Sequence, residues 1–166
     1  MGLYLHVDRA GGLEPNEVLE LQRIPKNIEL FTYSEMFADG FIEHIKNLAE
    51  QGLSHHGVQY LVKFLKSETH TPLLFKELYL EYIRWEYGIS EPSRFQSLFA
   101  WGNYEDALKF ARLISKEKQP PIYEVEPYGR TFTGDMILTR ANAEKNTALA
   151  YWRGYDLAKM PEYGKR

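Results

Sequence analysis

The stretch "LYLHVDRA", from Leu3 to Ala10, predicts the first strand of the fold close to the start of the chain. The residues from Leu3 to Val7 are mostly apolar and are typical of a short buried strand. His6 lies inside this strand, and Asp8 and Arg9 follow it. A lone histidine on a strand is more often a satisfied core residue than a ligand. The stretch alone therefore favours a structural role for His6.

Helical periodicity dominates the middle of the chain, from about residue 37 to 90. Apolar residues recur at helical spacing in three stretches that begin near Phe41, His56 and Thr71. Ser54 is a candidate N-cap for the second of them, and Gly88 is the expected end of the third. Apolar residues lie on more than one face of the third stretch, so we expect this helix to be covered on several sides. Two further helices are predicted, one after a cap at residue 103 and one over about 141–154.

Extended segments are predicted before and after the helical middle. Beyond the first strand, the candidates are 27–37, "RFQSLFAW" (94–101), "IYEV" (122–125) and "RTFTGDMILTR" (130–140), which is expected to pair beside 122–125. Strands at both ends with helices between them predict an α+β fold. We expect one domain over 1–166, with a mostly antiparallel sheet and a helical insertion at about 37–90.

Composition narrows the classes of function. The 166 residues carry a net charge of −3, without the basic excess typical of a dedicated nucleic-acid binder. The chain has no cysteine, which excludes disulfides, thiolate metal sites and a thiol nucleophile. No apolar run approaches the roughly 20 residues of a membrane span, and the N-terminus lacks a signal pattern. We therefore expect a cytoplasmic protein that makes no membrane contact.

The usual catalytic and metal-binding patterns are missing from the sequence. His55 and His56 are adjacent, so on a helix they point about 100° apart and cannot easily share one ion; no metal site is predicted. There is no glycine-rich phosphate loop and no serine nucleophile elbow. Asp135 follows a glycine and precedes an apolar run. It lies either at a strand entrance facing a cleft or in an ordinary turn, and the pattern alone favours the turn.

Several short motifs, taken in their order along the chain, resemble the rifamycin ADP-ribosyltransferases. They are "HVDRA" (6–10), which fits the Tyr…His-x-x-Arg-Ala strand of those enzymes, "YEVEPYG" (123–129), and the aspartate at 135. In addition, "PSRFQSLFAW", "DALKFA", "GDM" and "AYWRG" resemble a bacterial domain family of unassigned function that is thought to share the same fold. The resemblance covers the two ends of the chain. The helical segment at about 37–90 has no counterpart in the rifamycin enzymes.

The resemblance implies an ADP-ribosyltransferase-like split sheet, NAD+ as the substrate and no metal. His6 and Asp135 would be the catalytic residues. His6 would hydrogen-bond the ribose and nicotinamide of NAD+, because one ring nitrogen can donate while the backbone holds the other. Arg9 would lie near the cofactor phosphates or brace the loop. Asp135 would orient the acceptor or stabilise the positive charge that develops on the ribose.

The sequence departs from those enzymes at the tyrosine that packs on the nicotinamide ring. In "RFQSLFAW", Phe99 or Trp101 offers a flat ring in its place. Ser97, on the same segment, and Tyr151, in the last helix, complete the predicted cofactor-binding set.

Three functions remain open on these residues. The first is an NAD+-dependent ADP-ribosyltransferase whose unidentified acceptor is a protein, a nucleic acid or a small molecule. The second is a catalytically silent relative that binds a nucleotide or a protein. The third is an interaction module without a ligand.

Overall fold

The computed structural model describes residues 2–24, 35–63, 65, 71–115, 117–139 and 144–157. Within these ranges it contains five α-helices and one two-stranded antiparallel sheet, which confirms the predicted α+β class. The elements are β1 (Tyr4–Val7), α1 (Phe41–Gln51), α2 (His55–Val58), α3 (Thr71–Glu86), α4 (Tyr104–Ile114), β2 (Ile122–Val125) and α5 (Lys145–Trp152). A π-helical turn (Gln59–Lys63) follows α2, and a 3-10 turn (Arg94–Gln96) follows α3.

The chain forms two compact units. The first, here called the strand unit, comprises residues 1–20 and 98–130. The second, the helical unit, comprises residues 21–97 and 131–166. The prediction of one domain over 1–166 stays a prediction, and the two units are described separately below.

In the strand unit, β1 has a partner on each side. It pairs antiparallel with β2, so that His6 lies opposite Tyr123. On its other edge, Leu5 donates to and accepts from the backbone of Trp101, at N–O distances of 2.9 and 2.8 Å. Because strand side chains alternate, Leu5 shares one face of β1 with Val7, and His6 points to the opposite face.

Helix α4 covers the Leu5 face of β1. The expected N-cap is confirmed, since the Asn103 side chain accepts from the backbone N–H of Asp106 at 2.9 Å. The apolar face of this helix packs on the strands. It forms a small core of Val7, Ala107 and Ala111, with Leu5, Trp101, Phe110, Ile114 and Ile122 around it.

The core of the helical unit lies on several sides of α3, as its apolar pattern predicts. One cluster joins α3 to α1, the π-helical turn and the 3-10 turn through Phe41, Ile45, Leu48, Ala49, Leu53, Leu61, Leu74, Leu78 and Phe95. A second joins α3 to α5 through Leu80, Ile83, Leu138, Ala148, Ala150, Tyr151 and Trp152. The predicted cap of α2 is confirmed, because Ser54 Oγ accepts from the backbone N–H of Gly57 at 3.2 Å.

Two predicted strands are wrong. Residues 94–101 begin with the 3-10 turn, because the Ser93 hydroxyl accepts from the Phe95 N–H at 3.2 Å and starts a helical turn. Only Trp101 of that segment forms a strand-like bridge. Within the described residues 131–139 there is no strand, and 136–139 form a turn. The extended segment predicted within 27–37 falls mostly on residues outside the described ranges.

No helix in the described part of the chain combines the length and the apolar character that crossing a membrane requires.

Gly57 provides a test of the packing between α2 and the 3-10 turn. A Cβ at this position would overlap the Phe95 carbonyl oxygen and lie 3.0 Å from Leu53 Cβ. We expect Gly57→Ala to lower the free energy of unfolding by about 2 kcal/mol, since backbone overlap outweighs the roughly 1 kcal/mol that alanine contributes to a helix. Urea denaturation measures the change. The control is Gly102→Ala, because a Cβ at Gly102 meets nothing within 4 Å; an equal loss in both variants would contradict the packing.

Candidate functional site

The structure divides the predicted site residues between the two units. His6, Arg9, Phe99 and Trp101 belong to the strand unit, around β1. Ser97, Asp135 and Tyr151 belong to the helical unit. A cleft shared by His6 and Asp135 stays a prediction.

The backbone fixes the tautomer of His6. Its Nδ1 lies 2.7 Å from the carbonyl oxygen of Phe99. A carbonyl can only accept, so Nδ1 carries the hydrogen. In the neutral ring Nε2 is then an acceptor. Among the described residues Nε2 has no hydrogen-bond partner, and the side chain is half-buried.

Tyr123 is a site residue that sequence reasoning missed. It lies directly opposite His6 in the β1–β2 pair, and such cross-strand neighbours have Cβ atoms about 5 Å apart on one face. Tyr4, two residues before His6, shares that face, and all three side chains are half-buried. The signal was present in "IYEV", where Tyr123 breaks the alternation of apolar and polar residues. Such a break indicates that both faces of the strand are covered.

Asp8 organises the loop that follows β1. Asp8 is only 4% exposed. Oδ1 accepts from the N–H groups of Ala10 and Gly11 at 3.1 and 2.9 Å, and Oδ2 accepts from that of Leu13 at 2.9 Å. Burial alone raises the pKa of Asp8, but these backbone N–H groups outweigh it and leave the pKa below its ordinary value. The adjacent Arg9 is exposed.

The two aromatic residues predicted to bind the cofactor have different surroundings. Phe99 contributes its carbonyl oxygen to His6. The Trp101 ring packs in the core beneath α4, with its centroid 4.5 Å from that of Phe110. Of the two, only Phe99 is in hydrogen-bond contact with His6.

The three predicted site residues of the helical unit make structural contacts. Ser97 Oγ donates to the Ser93 carbonyl at 2.6 Å. Asp135 accepts from the N–H of Ile137 at 2.8 Å and, through its other oxygen, from that of Leu157 at 2.9 Å. These contacts are those of a turn aspartate, and the strand entrance proposed for Asp135 is absent.

Tyr151 is buried, and its hydroxyl accepts from Arg94 Nη1 at 2.6 Å. Arg94 also forms a two-pronged ion pair with Glu77, with both N–O distances at 2.8 Å. His56 Nε2 lies 3.3 Å from the same carboxylate. Burial raises the pKa of Glu77, but Arg94 and then His56 hold it far below the ordinary range.

A second buried carboxylate lies one helical turn further along α3. Glu81 accepts from Arg84 Nη2 at 2.6 Å, from Ser93 Oγ at 2.9 Å and from His44 Nε2 at 2.8 Å. Both carboxylates are thus ionised and hydrogen-bonded on each oxygen, so they hold the helical unit together. Sequence analysis missed this network. The sequence did contain an indication of it: Glu77 and Glu81 lie four residues apart in a helix that has apolar residues on more than one face.

A metal site finds no support in the described ranges, where no three His, Asp or Glu side chains are grouped so that they could hold an ion.

The buried ion pair predicts a specific pattern of stabilities. Arg94→Met leaves the Glu77 charge buried with only His56 beside it, so we expect a loss of about 3–5 kcal/mol in the free energy of unfolding. The double variant Glu77→Leu/Arg94→Met removes both charges, and we expect it to recover much of that loss. Urea denaturation compares them. Lys109→Met, at the exposed Lys109–Asp106 pair, is the control and should change little. A double variant less stable than the single one would contradict this account.

The same pair predicts a dependence of stability on pH. The folded-state pKa of Glu77 is lowered from the ordinary 4.5, so its contribution is present above about pH 5 and is lost as the pH falls below that value. We expect the free energy of unfolding to fall between about pH 5 and pH 3, with a shallower slope in Glu77→Leu/Arg94→Met. Chemical denaturation at each pH gives both slopes. Equal slopes would show that Glu77 does not carry this linkage.

Comparison with known proteins assigns a family and no activity. The profile of DUF2441, described as a protein of unknown function, matches residues 4–163. No curated protein and no solved structure matches the chain. The match spans β1, β2 and all five helices, including Tyr123, His6 and the buried network of α3. The chain is a member of the DUF2441 family.

Proposed function

We propose that the chain is an NAD+-dependent ADP-ribosyltransferase that uses the His6 face of β1. The observation that carries the proposal is the fixed ring of His6: Nδ1 donates to the Phe99 carbonyl, and Nε2 is an acceptor on a half-buried face between two tyrosines. A hydroxyl is the natural partner of such an acceptor, and NAD+ presents ribose hydroxyls beside a flat nicotinamide ring. The resemblance of "HVDRA" and "YEVEPYG" to the rifamycin enzymes supports the same ligand.

The proposed reaction breaks the bond between the nicotinamide nitrogen and C1′ of the ribose. Nicotinamide leaves with the electron pair, positive charge develops on the ribose, and a nucleophile of the acceptor then bonds to C1′ and loses its proton. His6 Nε2 accepts a hydrogen bond from a ribose hydroxyl and orients the sugar. The ring of Tyr123, opposite His6, takes the stacking role that the sequence lacked on the segment before α4. The acceptor is a protein, a nucleic acid or a small molecule.

The finer architecture that we propose is the ADP-ribosyltransferase-like split sheet. In support, β1 lies between β2 and the Trp101 segment, which makes the His6 strand an interior strand of its unit.

A catalytically silent relative that binds NAD+ is the second candidate. It is favoured by Asp135, since both of its carboxylate oxygens accept backbone N–H groups in the helical unit. A carboxylate held in this way is less available to stabilise charge on a ribose.

Nicotinamide release on incubation with NAD+ tests the proposal. We expect the wild-type chain to release nicotinamide, and His6→Ala to lower kcat/KM about 100-fold or more, since it removes a positioned hydrogen-bonding group. His55→Ala is the matched control, because His55 is exposed in the helical unit, and it should keep full activity.

Three results would decide against parts of this assignment. Release that survives in His6→Ala would contradict the role of His6. NAD+ binding without release, measured by calorimetry, would select the silent relative. If the chain neither binds NAD+ nor releases nicotinamide, both candidates are rejected and an interaction module remains.

A further inference from the structure

We infer that Asp8 is a positioning residue that holds the Tyr123 side chain on the His6 face of the β1–β2 pair and so sets the affinity of the site for the flat ring of NAD+. This inference rests on the proposed function for its ligand, whereas the chain of contacts from Asp8 to Tyr123 is independent of it.

The first step is the binding of the loop after β1 by the buried carboxylate of Asp8. Asp8 lies two residues after His6, and its two oxygens accept three backbone N–H groups between Ala10 and Leu13. A carboxylate that accepts several N–H groups stays charged and keeps them in one arrangement. The loop contains two glycines, which permit many backbone conformations. The contacts with Asp8 therefore hold the loop in one of these conformations.

The second step passes through a single residue. Leu13 donates its N–H to Asp8 Oδ2 at 2.9 Å, and its carbonyl accepts from the Tyr123 hydroxyl at 2.8 Å. The position of this carbonyl therefore depends on the contact that Asp8 makes with the same residue. Tyr123 is therefore held at two points: the β1–β2 ladder fixes its backbone, and the Leu13 carbonyl fixes its hydroxyl.

The third step connects this anchored ring to the ligand. Tyr123 lies opposite His6 in the β1–β2 pair, so its side chain leaves the sheet on the same face as the imidazole, and its ring is the proposed wall of the ligand site. Flat rings stack best in offset or edge-to-face arrangements, which require a wall of defined orientation. An already ordered wall also loses less side-chain entropy when a ligand binds. Asp8 thus acts on NAD+ through Leu13 and Tyr123 without touching it.

Asp8→Asn is the sharpest variant for this inference. Asparagine has nearly the same shape and keeps one acceptor for Ala10 and Gly11, but it turns an N–H group toward the N–H of Leu13. We expect the Kd for NAD+ to rise about 10-fold, with a smaller change in kcat. Tyr123→Phe removes only the hydroxyl and should give a similar rise. Because both act through one path, we expect the double variant to be no weaker than the worse single variant. Asp106→Asn, an exposed aspartate of the strand unit, is the matched control.

NMR of the ligand-free chain gives a second readout. In Asp8→Asn we expect faster hydrogen exchange at the Leu13 amide and a shift of the Tyr123 ring signals, and no such changes in Asp106→Asn. A merely structural Asp8 would lower the melting temperature and leave the Tyr123 signals and the Kd unchanged, and that result would overturn the inference. If Asp8→Asn does not fold, an unchanged Kd in Tyr123→Phe overturns it instead.

The two proposals fail in different ways. A wild-type chain that binds no NAD+, although Asp8→Asn shifts Tyr123, would overturn the proposed function and the ligand named here. Unchanged Tyr123 signals in Asp8→Asn would overturn the positioning role, whatever the result with NAD+.

Discussion

The ion pair between Glu77 and Arg94 is the interaction on which the helical unit depends. Neither charge reaches water, so each needs the other, and the two-pronged geometry satisfies most of their hydrogen-bonding capacity at once. Arg94 also donates to Tyr151 of α5. One guanidinium therefore joins α3, the 3-10 turn and α5, and separating the 3-10 turn from α3 would break the buried ion pair.

The 3-10 turn is held from a second direction by α2. The Phe95 carbonyl accepts from the backbone N–H and the hydroxyl of Ser54, at 2.8 and 3.0 Å. Gly57 permits this approach, because any larger residue would meet the same carbonyl. A segment whose backbone and side chains are engaged in this way cannot extend into a ladder. These contacts explain why the segment 94–101 does not form the predicted strand.

The strand unit builds its candidate site from local contacts in β1 and its neighbours. The Phe99 carbonyl sets the tautomer of His6, the ladder brings Tyr123 opposite it, and Asp8 orders the following loop. The His6 ring is held at Nδ1, Tyr123 at its hydroxyl and Asp8 at both carboxylate oxygens. Rigid placement of this kind is what a binding face requires, since a loosely held histidine would not orient a sugar.

The sequence by itself determined the helices, two of their caps, both paired strands and the α+β class. Apolar periodicity and capping are local properties, and they depend little on distant parts of the chain. Only the tertiary structure decided that Glu77 and Glu81 are buried, that the described residues 130–139 form no strand and that Tyr123 lies opposite His6. The buried carboxylates and the Tyr123–His6 pair depend on residues that are distant in the sequence. Burial of a charge, strand register and the tautomer of a histidine have no local signature, because the group that satisfies them is brought into contact only by folding.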